Sequence, residues 1–187
     1  DHQVHRDVYT SQDVYALEMQ HLFANVWVFV GHESQTPKQG DYFTTQIGSQ
    51  PVIQVRHSDG KIKVLHNRCP HKGTKIAIDR HGNTGTFFRC PYHAWSFETD
   101  GRLKAVPLES GYSNTSFETT ENANGIKPVG AVHNHRGFIF ARLADSGISF
   151  DDFFGDSLSS IDNMVDRSPE GRLEVAGPPL RYMHKCN

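Results

Sequence analysis

Two short motifs that each join a cysteine to a histidine constrain the fold of this chain more than any other feature. They read Cys69-Pro70-His71-Lys72-Gly73 and Cys90-Pro91-Tyr92-His93. Each motif places a thiol and an imidazole within two or three residues, on a turn that a proline stiffens. The residues between the motifs, 72–89, are enough to leave one loop, form a hairpin and enter a facing loop. The spacing therefore predicts a metal centre shared by two facing loops.

Two cysteines and two histidines can hold either a tetrahedral zinc ion or a [2Fe–2S] cluster with histidines on one iron. Zinc sites of this composition usually take two cysteines from one motif and two histidines from another. Here each motif supplies one of each, so two facing loops can give both sulfurs to one iron and both nitrogens to the other. The pattern favours the cluster. A zinc site and two unrelated Cys/His pairs remain the alternatives.

Composition excludes several other classes of protein. Three cysteines do not make a disulfide scaffold, and 36% hydrophobic residues are enough for a core. The 19 basic and 21 acidic residues nearly balance, which gives no electrostatic footprint for nucleic acid or for an anionic membrane. The apolar run 26–30 is too short to span a bilayer, and the chain opens without a secretory leader. We therefore expect a cytoplasmic location and neither a nucleic acid nor a membrane partner.

The hydrophobic pattern is mainly that of short strands. A capping box at Thr10 predicts an N-terminal helix that ends near Trp27, and a second one at Ser149 predicts a helix that ends before Pro169. Between the two helices, alternating runs and Asp-Gly turns predict an antiparallel β-sandwich or small barrel. The predicted strands are 41–47, 51–56, 62–65, 86–89, 93–97, 103–106, 129–133 and 138–143, with a last strand at 180–186.

This pattern divides the chain into three predicted segments. Residues 1–39 form a helical arm, residues 40–145 form the β domain, and residues 146–187 form a connecting helix and the first strand of a further domain. His133 and His135 could be the two histidine ligands of a two-histidine, one-carboxylate iron site. Their place beside Arg136-Gly137 in a hairpin favours a solvated turn instead.

The motifs resemble those of the Rieske family, and more narrowly those of α (large) subunits of Rieske non-heme iron ring-hydroxylating oxygenases. The resemblance extends from Tyr15 to Asn187. Its residues include Gly40-Asp41-Tyr42, Asn67-Arg68-Cys69-Pro70-His71, Cys90-Pro91-Tyr92-His93-Ala94-Trp95, Gly101-Arg102-Leu103 and Pro107. Two positions differ from the family pattern: Lys72 stands where arginine is usual, and Ala94 stands where glycine is usual.

The resemblance implies that a [2Fe–2S] cluster is held by Cys69 and Cys90 on one iron and by His71 and His93 on the other. Around these ligands it implies supporting roles for Lys72, Gly73, Tyr92 and Trp95, with Trp95 shielding the cluster. It also implies that a mononuclear Fe(II) and its catalytic residues lie in a missing α+β catalytic domain, so that no catalytic residue is expected among these 187 residues.

The function implied is electron transfer to that Fe(II) site, which activates O₂ to hydroxylate an aromatic small molecule. Electrons would come from NAD(P)H through a reductase, a ferredoxin or both. The oligomer implied is a homotrimer or an α3β3 assembly with a small subunit. The alternatives are a Rieske monooxygenase (a salicylate-type hydroxylase or an O-demethylase), a freestanding Rieske ferredoxin, and a zinc-stabilised binding module.

Overall fold

The computed structural model describes residues 3–117 and 124–177 of the chain. Most of the regular structure is short antiparallel strands. The strands are β1 Val28–His32, β2 Asp41–Ile47, β3 Gln50–Arg56, β4 Ile62–His66, β5 His81–Asn83, β6 Phe87–Arg89, β7 Ser96–Glu98, β8 Leu103–Ala105, β9 Ala131–His135 and β10 Phe138–Arg142. The α-helices are α1 Asp7–Thr10, α2 Gln12–Leu17, α3 Phe150–Phe154 and α4 Leu158–Asp166. The mainly β fold class predicted from the sequence is confirmed.

The strands form three sheets. Sheet A has the order β1-β10-β9, sheet B has the order β4-β3-β2-β5, and sheet C has the order β6-β7-β8. Every strand pair within them is antiparallel, as short hairpin connections require.

Strand β3 of sheet B is buried on both faces, which explains its run of apolar residues. Val52 packs in a core with residues of sheet A, whereas Ile53 and Val55 pack in a core with residues of sheet C. Cys69 and Cys90 belong to the core shared by sheets B and C. The loops that carry both motifs are therefore anchored in the largest apolar cluster.

The structure corrects several predicted boundaries. Strand β1 lies within residues 1–39, so that predicted helical arm also supplies a strand, which pairs with β10. A short apolar run does not distinguish a strand from a helix end by its periodicity. The three-residue β5 was also missed, and β7 begins at Ser96, not at the predicted residue 93. The division of the chain at residues 39 and 145 stays a prediction.

The N-terminal helix begins and ends at residues other than those predicted from the sequence. Ser11, one residue after Thr10, is the N-cap of α2, and its Oγ accepts a hydrogen bond from the Val14 backbone N–H at 3.4 Å. The helix continues only as a π-helical turn, Glu18–Leu22. Ser149 caps α3 as predicted. No helix among residues 3–117 and 124–177 is long and apolar enough to cross a membrane.

The predicted solvated turn at His133 and His135 is wrong, because both residues lie on strand β9. The ring of His133 stacks on Phe150 at a centroid distance of 3.8 Å, and His135 Nε2 lies 2.8 Å from Asp162 Oδ1. Their side chains attach α3 and α4 to sheet A. The predicted strand 180–186 lies outside the described residues.

Candidate metal centre

The two motifs lie in loops of equal length. Loop 1, residues 69–74, follows β4, and loop 2, residues 90–95, connects β6 to β7. The predicted strand over 93–97 is wrong at its start, because His93 belongs to the turn of loop 2. The turn is what brings His93 to the surface beside loop 1.

The two loops repeat the same backbone hydrogen bonds. In loop 1 the Cys69 N–H donates to the Thr74 carbonyl at 2.8 Å, and in loop 2 the Cys90 N–H donates to the Trp95 carbonyl at 2.8 Å. The Cys69 carbonyl accepts from the N–H four residues later at 2.8 Å, and the Cys90 carbonyl does the same at 3.0 Å. Each cysteine thus closes its own loop, which fixes the direction of its side chain.

Closing each loop requires a left-handed residue four positions after the cysteine. Gly73 takes this position in loop 1 with φ +75°, and Ala94 takes it in loop 2 with φ +59°. Glycine adopts this region without strain, whereas a Cβ costs energy there. A Cβ at Gly73 would also lie 3.2 Å from Arg68 Nε. The exchange of the usual glycine for Ala94 therefore puts backbone strain into loop 2.

Asn67 connects the segment just before loop 1 to the segment just after it. Its buried side chain donates to the Ala77 carbonyl at 2.7 Å and accepts from the backbone N–H groups of Ile76 and Ala77 at 2.8 and 3.0 Å. No role was predicted for Asn67 from the sequence. An asparagine two residues before a ligand cysteine was the available signal, since a buried amide can satisfy several backbone groups at once.

The four candidate ligands meet as two like pairs. Cys69 and Cys90 are buried free thiols whose sulfur atoms lie close enough to interact. The rings of His71 and His93 lie with their centroids 4.6 Å apart. His71 is half-buried and His93 is exposed. A sulfur pair in the core and an imidazole pair at the surface match the split of ligands between two irons.

Aromatic side chains support both histidines. Trp95 is 3% exposed, and its ring stacks on His71 with an interplanar angle of 3° and a centroid distance of 4.7 Å. Tyr92 is exposed and its ring lies 3.7 Å from that of His93. Lys72, also exposed, follows His71 in loop 1. All eight predicted site residues therefore lie in the two loops.

Burial, more than the neighbouring charges, shifts the pKa values of Cys69 and His71 towards their neutral forms. Burial raises the pKa of the Cys69 thiol, and the neighbouring Cys90 acts in the same direction. The backbone N–H groups of His71 and Lys72 donate to the Cys69 sulfur and oppose that shift. Burial lowers the pKa of His71, and His93 and Lys72 lower it further. Neutral histidine is the form that binds metal, and binding iron would displace the thiol protons.

One buried atom shows that the site fits a bound group. His71 Nδ1 is buried and has no hydrogen-bond partner among the described residues. A buried polar atom without a partner costs roughly 1–3 kcal/mol, and a metal bond would remove that cost. With the two adjacent free thiols, this orphaned nitrogen makes the donor set suited to a cluster with sulfur and imidazole ligands.

Comparison with known proteins identifies the class. Residues 26–119 match the family model described as the Rieske [2Fe-2S] domain. The chain therefore belongs to the Rieske [2Fe–2S] domain family, and the cofactor of this family is a [2Fe–2S] cluster.

Particular relatives are oxygenase subunits. The chain is 36% identical over 184 residues to the toluate 1,2-dioxygenase subunit alpha of Pseudomonas putida, which covers 97% of this chain and 40% of the relative. It is 39% identical over 176 residues to the glycine betaine monooxygenase oxygenase subunit of Chromohalobacter salexigens, covering 94% of this chain and 37% of that one.

Among solved structures, naphthalene 1,2-dioxygenase from Rhodococcus sp. bound to indole superposes with a TM-score of 0.82 at 32% identity. The match covers 90% of this chain and 37% of that chain. The chain spans about two fifths of the length of the relatives it matches.

Proposed function

We propose that Cys69 and Cys90 hold one iron of the [2Fe–2S] cluster and that His71 and His93 hold the other. When bound, such a cluster takes up and passes on one electron at a time. The observation that carries this assignment is the orphaned, buried Nδ1 of His71 beside an imidazole pair and a thiol pair.

The remaining loop residues have supporting roles in this proposal. Trp95 covers one face of His71 and excludes water from it, and Tyr92 lies against the exposed His93. Gly73 gives loop 1 its left-handed turn, while the Lys72 charge adds to burial and to His93 in lowering the pKa of His71. Because the histidines lie at the surface and the cysteines in the core, electrons would leave through the histidine side.

Metal analysis of the purified protein tests the ligand set. We expect two irons and two acid-labile sulfides per chain, and an absorption spectrum in the visible range that bleaches on reduction. Zinc in place of iron, without labile sulfide, would show that the zinc-stabilised binding module is the correct alternative.

We further propose that the whole protein is the large subunit of an aromatic-ring-hydroxylating oxygenase. A reductase, a ferredoxin or both would pass electrons from NAD(P)H to this domain, and a mononuclear Fe(II) in a catalytic domain would receive them. The dependence on NAD(P)H favours a cytoplasmic location. The subunits would form a homotrimer or an α3β3 assembly, which the mass of the native protein tests. The name of the toluate dioxygenase relative supports an aromatic acid as substrate.

A monooxygenase is the second candidate, because a glycine betaine monooxygenase subunit reaches 39% identity to this chain. The test supplies the full protein with reductant, a panel of aromatic acids and quaternary amines, and ¹⁸O₂. Two labelled oxygens in the product indicate dioxygenation, and one indicates monooxygenation. A holoprotein that is reduced and reoxidised without any labelled product would favour the freestanding electron carrier.

A further inference from the structure

Two further aromatic side chains continue from the Trp95 ring that stacks on His71. The Phe117 ring meets the Trp95 ring edge to face, with a centroid distance of 5.4 Å and an interplanar angle of 62°. The Tyr112 ring lies 4.7 Å from that of Phe117, at an angle of 34°. Both side chains are half-buried and pack against the core shared by sheets B and C. A chain of ring contacts therefore runs from a proposed cluster ligand to the segment 109–117, which belongs to neither loop.

The backbone of this segment brings the two rings together. Residues Glu109–Tyr112 form a short 3-10 turn. The Thr115 hydroxyl donates a hydrogen bond to the Tyr112 carbonyl at 2.7 Å and accepts one from the Phe117 N–H at 3.2 Å. The Thr115 N–H also donates to the Tyr112 carbonyl at 3.1 Å. One threonine thus closes the chain between the two aromatic residues, which we call the Tyr112–Phe117 pair.

The Tyr112–Phe117 pair limits where the Trp95 ring can lie. A single stacked ring pair contributes a free energy comparable to thermal energy, so the contact with His71 does not by itself fix the indole. Trp95 is buried, and a closely packed side chain has few alternative positions while its neighbours stay in place. Phe117 is such a neighbour. Without its ring, space opens beside the indole and the parallel stack on His71 is no longer enforced.

The position of the Trp95 ring affects the charge that the proposed cluster can take up. A [2Fe–2S] cluster with two thiolates and two neutral imidazoles carries no net charge when oxidised and one negative charge when reduced. An apolar cover disfavours the charged form, whereas water stabilises it. A side chain that keeps Trp95 over His71 therefore lowers the reduction potential of the centre, and its loss raises that potential.

We propose that the Tyr112–Phe117 pair positions Trp95 against His71 and thereby lowers the reduction potential of the centre. The inference rests on the proposed cluster ligands and adds two residues outside the loops that carry them. Tyr112 and Phe117 act through Trp95, so they are positioning residues. Their contribution is to keep water away from one side of His71.

Voltammetry of the full holoprotein with its cluster assembled tests this inference. In Phe117→Ala we expect the equilibrium constant for one-electron reduction to rise about tenfold, which is a positive shift of about 59 mV in the midpoint potential. Phe117→Tyr keeps the ring and should keep the wild-type potential. Phe154→Ala is the matched control and should also keep it, because Phe154 is half-buried like Phe117 but packs against the separate core around Phe150.

A double-mutant cycle tests whether Phe117 acts through Trp95. Trp95→Leu removes the ring that stacks on His71, so adding Phe117→Ala should then change the equilibrium constant by less than about twofold. If Trp95→Leu does not retain the cluster, Trp95→Phe, which keeps a smaller ring, takes its place in the cycle. An undiminished tenfold effect in that background would mean that Phe117 acts by another route and would overturn the inference.

The other failures have distinct meanings. An intact cluster with the wild-type potential in Phe117→Ala overturns the positioning role and leaves the proposed ligands standing. An equal positive shift in Phe154→Ala would assign the effect to a general loosening of the fold and would overturn it too. If Phe117→Ala does not retain the cluster, Phe117→Leu replaces it, with an expected rise of about threefold in the same constant. A wild-type protein without iron and sulfide overturns the proposed function itself, and this inference falls with it.

Discussion

Loop 1 and loop 2 have the same backbone and different chemistry. Both begin with a cysteine and a proline, both close with the same two hydrogen bonds, and both turn through a left-handed residue. The histidine, however, is the third residue of loop 1 and the fourth residue of loop 2. One imidazole is therefore half-buried between the loops, while the other is exposed at the surface.

The residues that end the two loops differ even more. Thr74 ends loop 1, whereas Trp95 ends loop 2, enters the core and stacks on the histidine of loop 1. Loop 1 is thus supported by loop 2 through the Trp95 ring and by the hydrogen bonds of Asn67. A common backbone frame therefore positions the two cysteines, while unequal side chains position the two histidines.

The largest effect is expected from removing His93, the exposed residue of loop 2 that we propose as a ligand. His93→Ala leaves the proposed histidine-bound iron with His71 as its single protein ligand, so the cluster should not assemble. Visible absorption and iron content of the purified variant measure this. His81→Ala, an exposed histidine on β5, is the control and should keep the full spectrum. An unchanged spectrum in His93→Ala would remove His93 from the ligand set.

Truncating the residue that links the loops should have the next largest effect. Trp95→Ala removes a buried aromatic ring and should lower the free energy of unfolding of the cluster-free protein by about 3–5 kcal/mol. Thr74 is half-buried and is the last residue of loop 1, as Trp95 is of loop 2. Thr74→Ala should lower the free energy of unfolding by less than about 1 kcal/mol. Urea denaturation followed by circular dichroism measures both. Equal losses would contradict the unequal roles of the two loop ends.

Loop 1 should depend on the side-chain amide of Asn67. Asn67→Ala leaves two backbone N–H groups and one carbonyl in the core without partners, which should cost about 3 kcal/mol of unfolding free energy. Asn83→Ala, which removes three hydrogen bonds at an exposed site, should cost less than about 1 kcal/mol. If Asn67→Ala lowered the free energy of unfolding no more than Asn83→Ala does, the hydrogen bonds of Asn67 would add no special stability to loop 1.

The smallest effects should have opposite signs in the two loops. Gly73→Ala puts a Cβ into a left-handed turn and against Arg68, and it should destabilise the protein by about 1–2 kcal/mol. Ala94→Gly relieves the same strain in loop 2, and it should stabilise the protein by about 0.5 kcal/mol after the greater freedom of glycine in the unfolded chain is counted. Thermal unfolding of the two variants checks the signs. Changes of the same sign would mean that the loops are not equivalent at this position.

The sequence alone predicted the strands that alternate and end in Asp-Gly turns. Strand β2 was predicted to the residue, and β3 and β4 were placed on either side of Asp59-Gly60. Strands β1 and β5 were missed, because neither carries an alternating pattern of its own and each is a strand only through a partner. The same limit explains the error at His133 and His135, whose partners Phe150 and Asp162 are distant in sequence.

The sequence by itself determined the two loops and suggested the proposed donor set, because thiol, imidazole, proline and glycine are properties of single residues and of their spacing. Only the tertiary structure decided which histidine is sheltered and that Trp95 of one loop covers the histidine of the other. These are contacts between residues distant along the chain. They depend on how sheets B and C pack, and local periodicity carries no record of that packing.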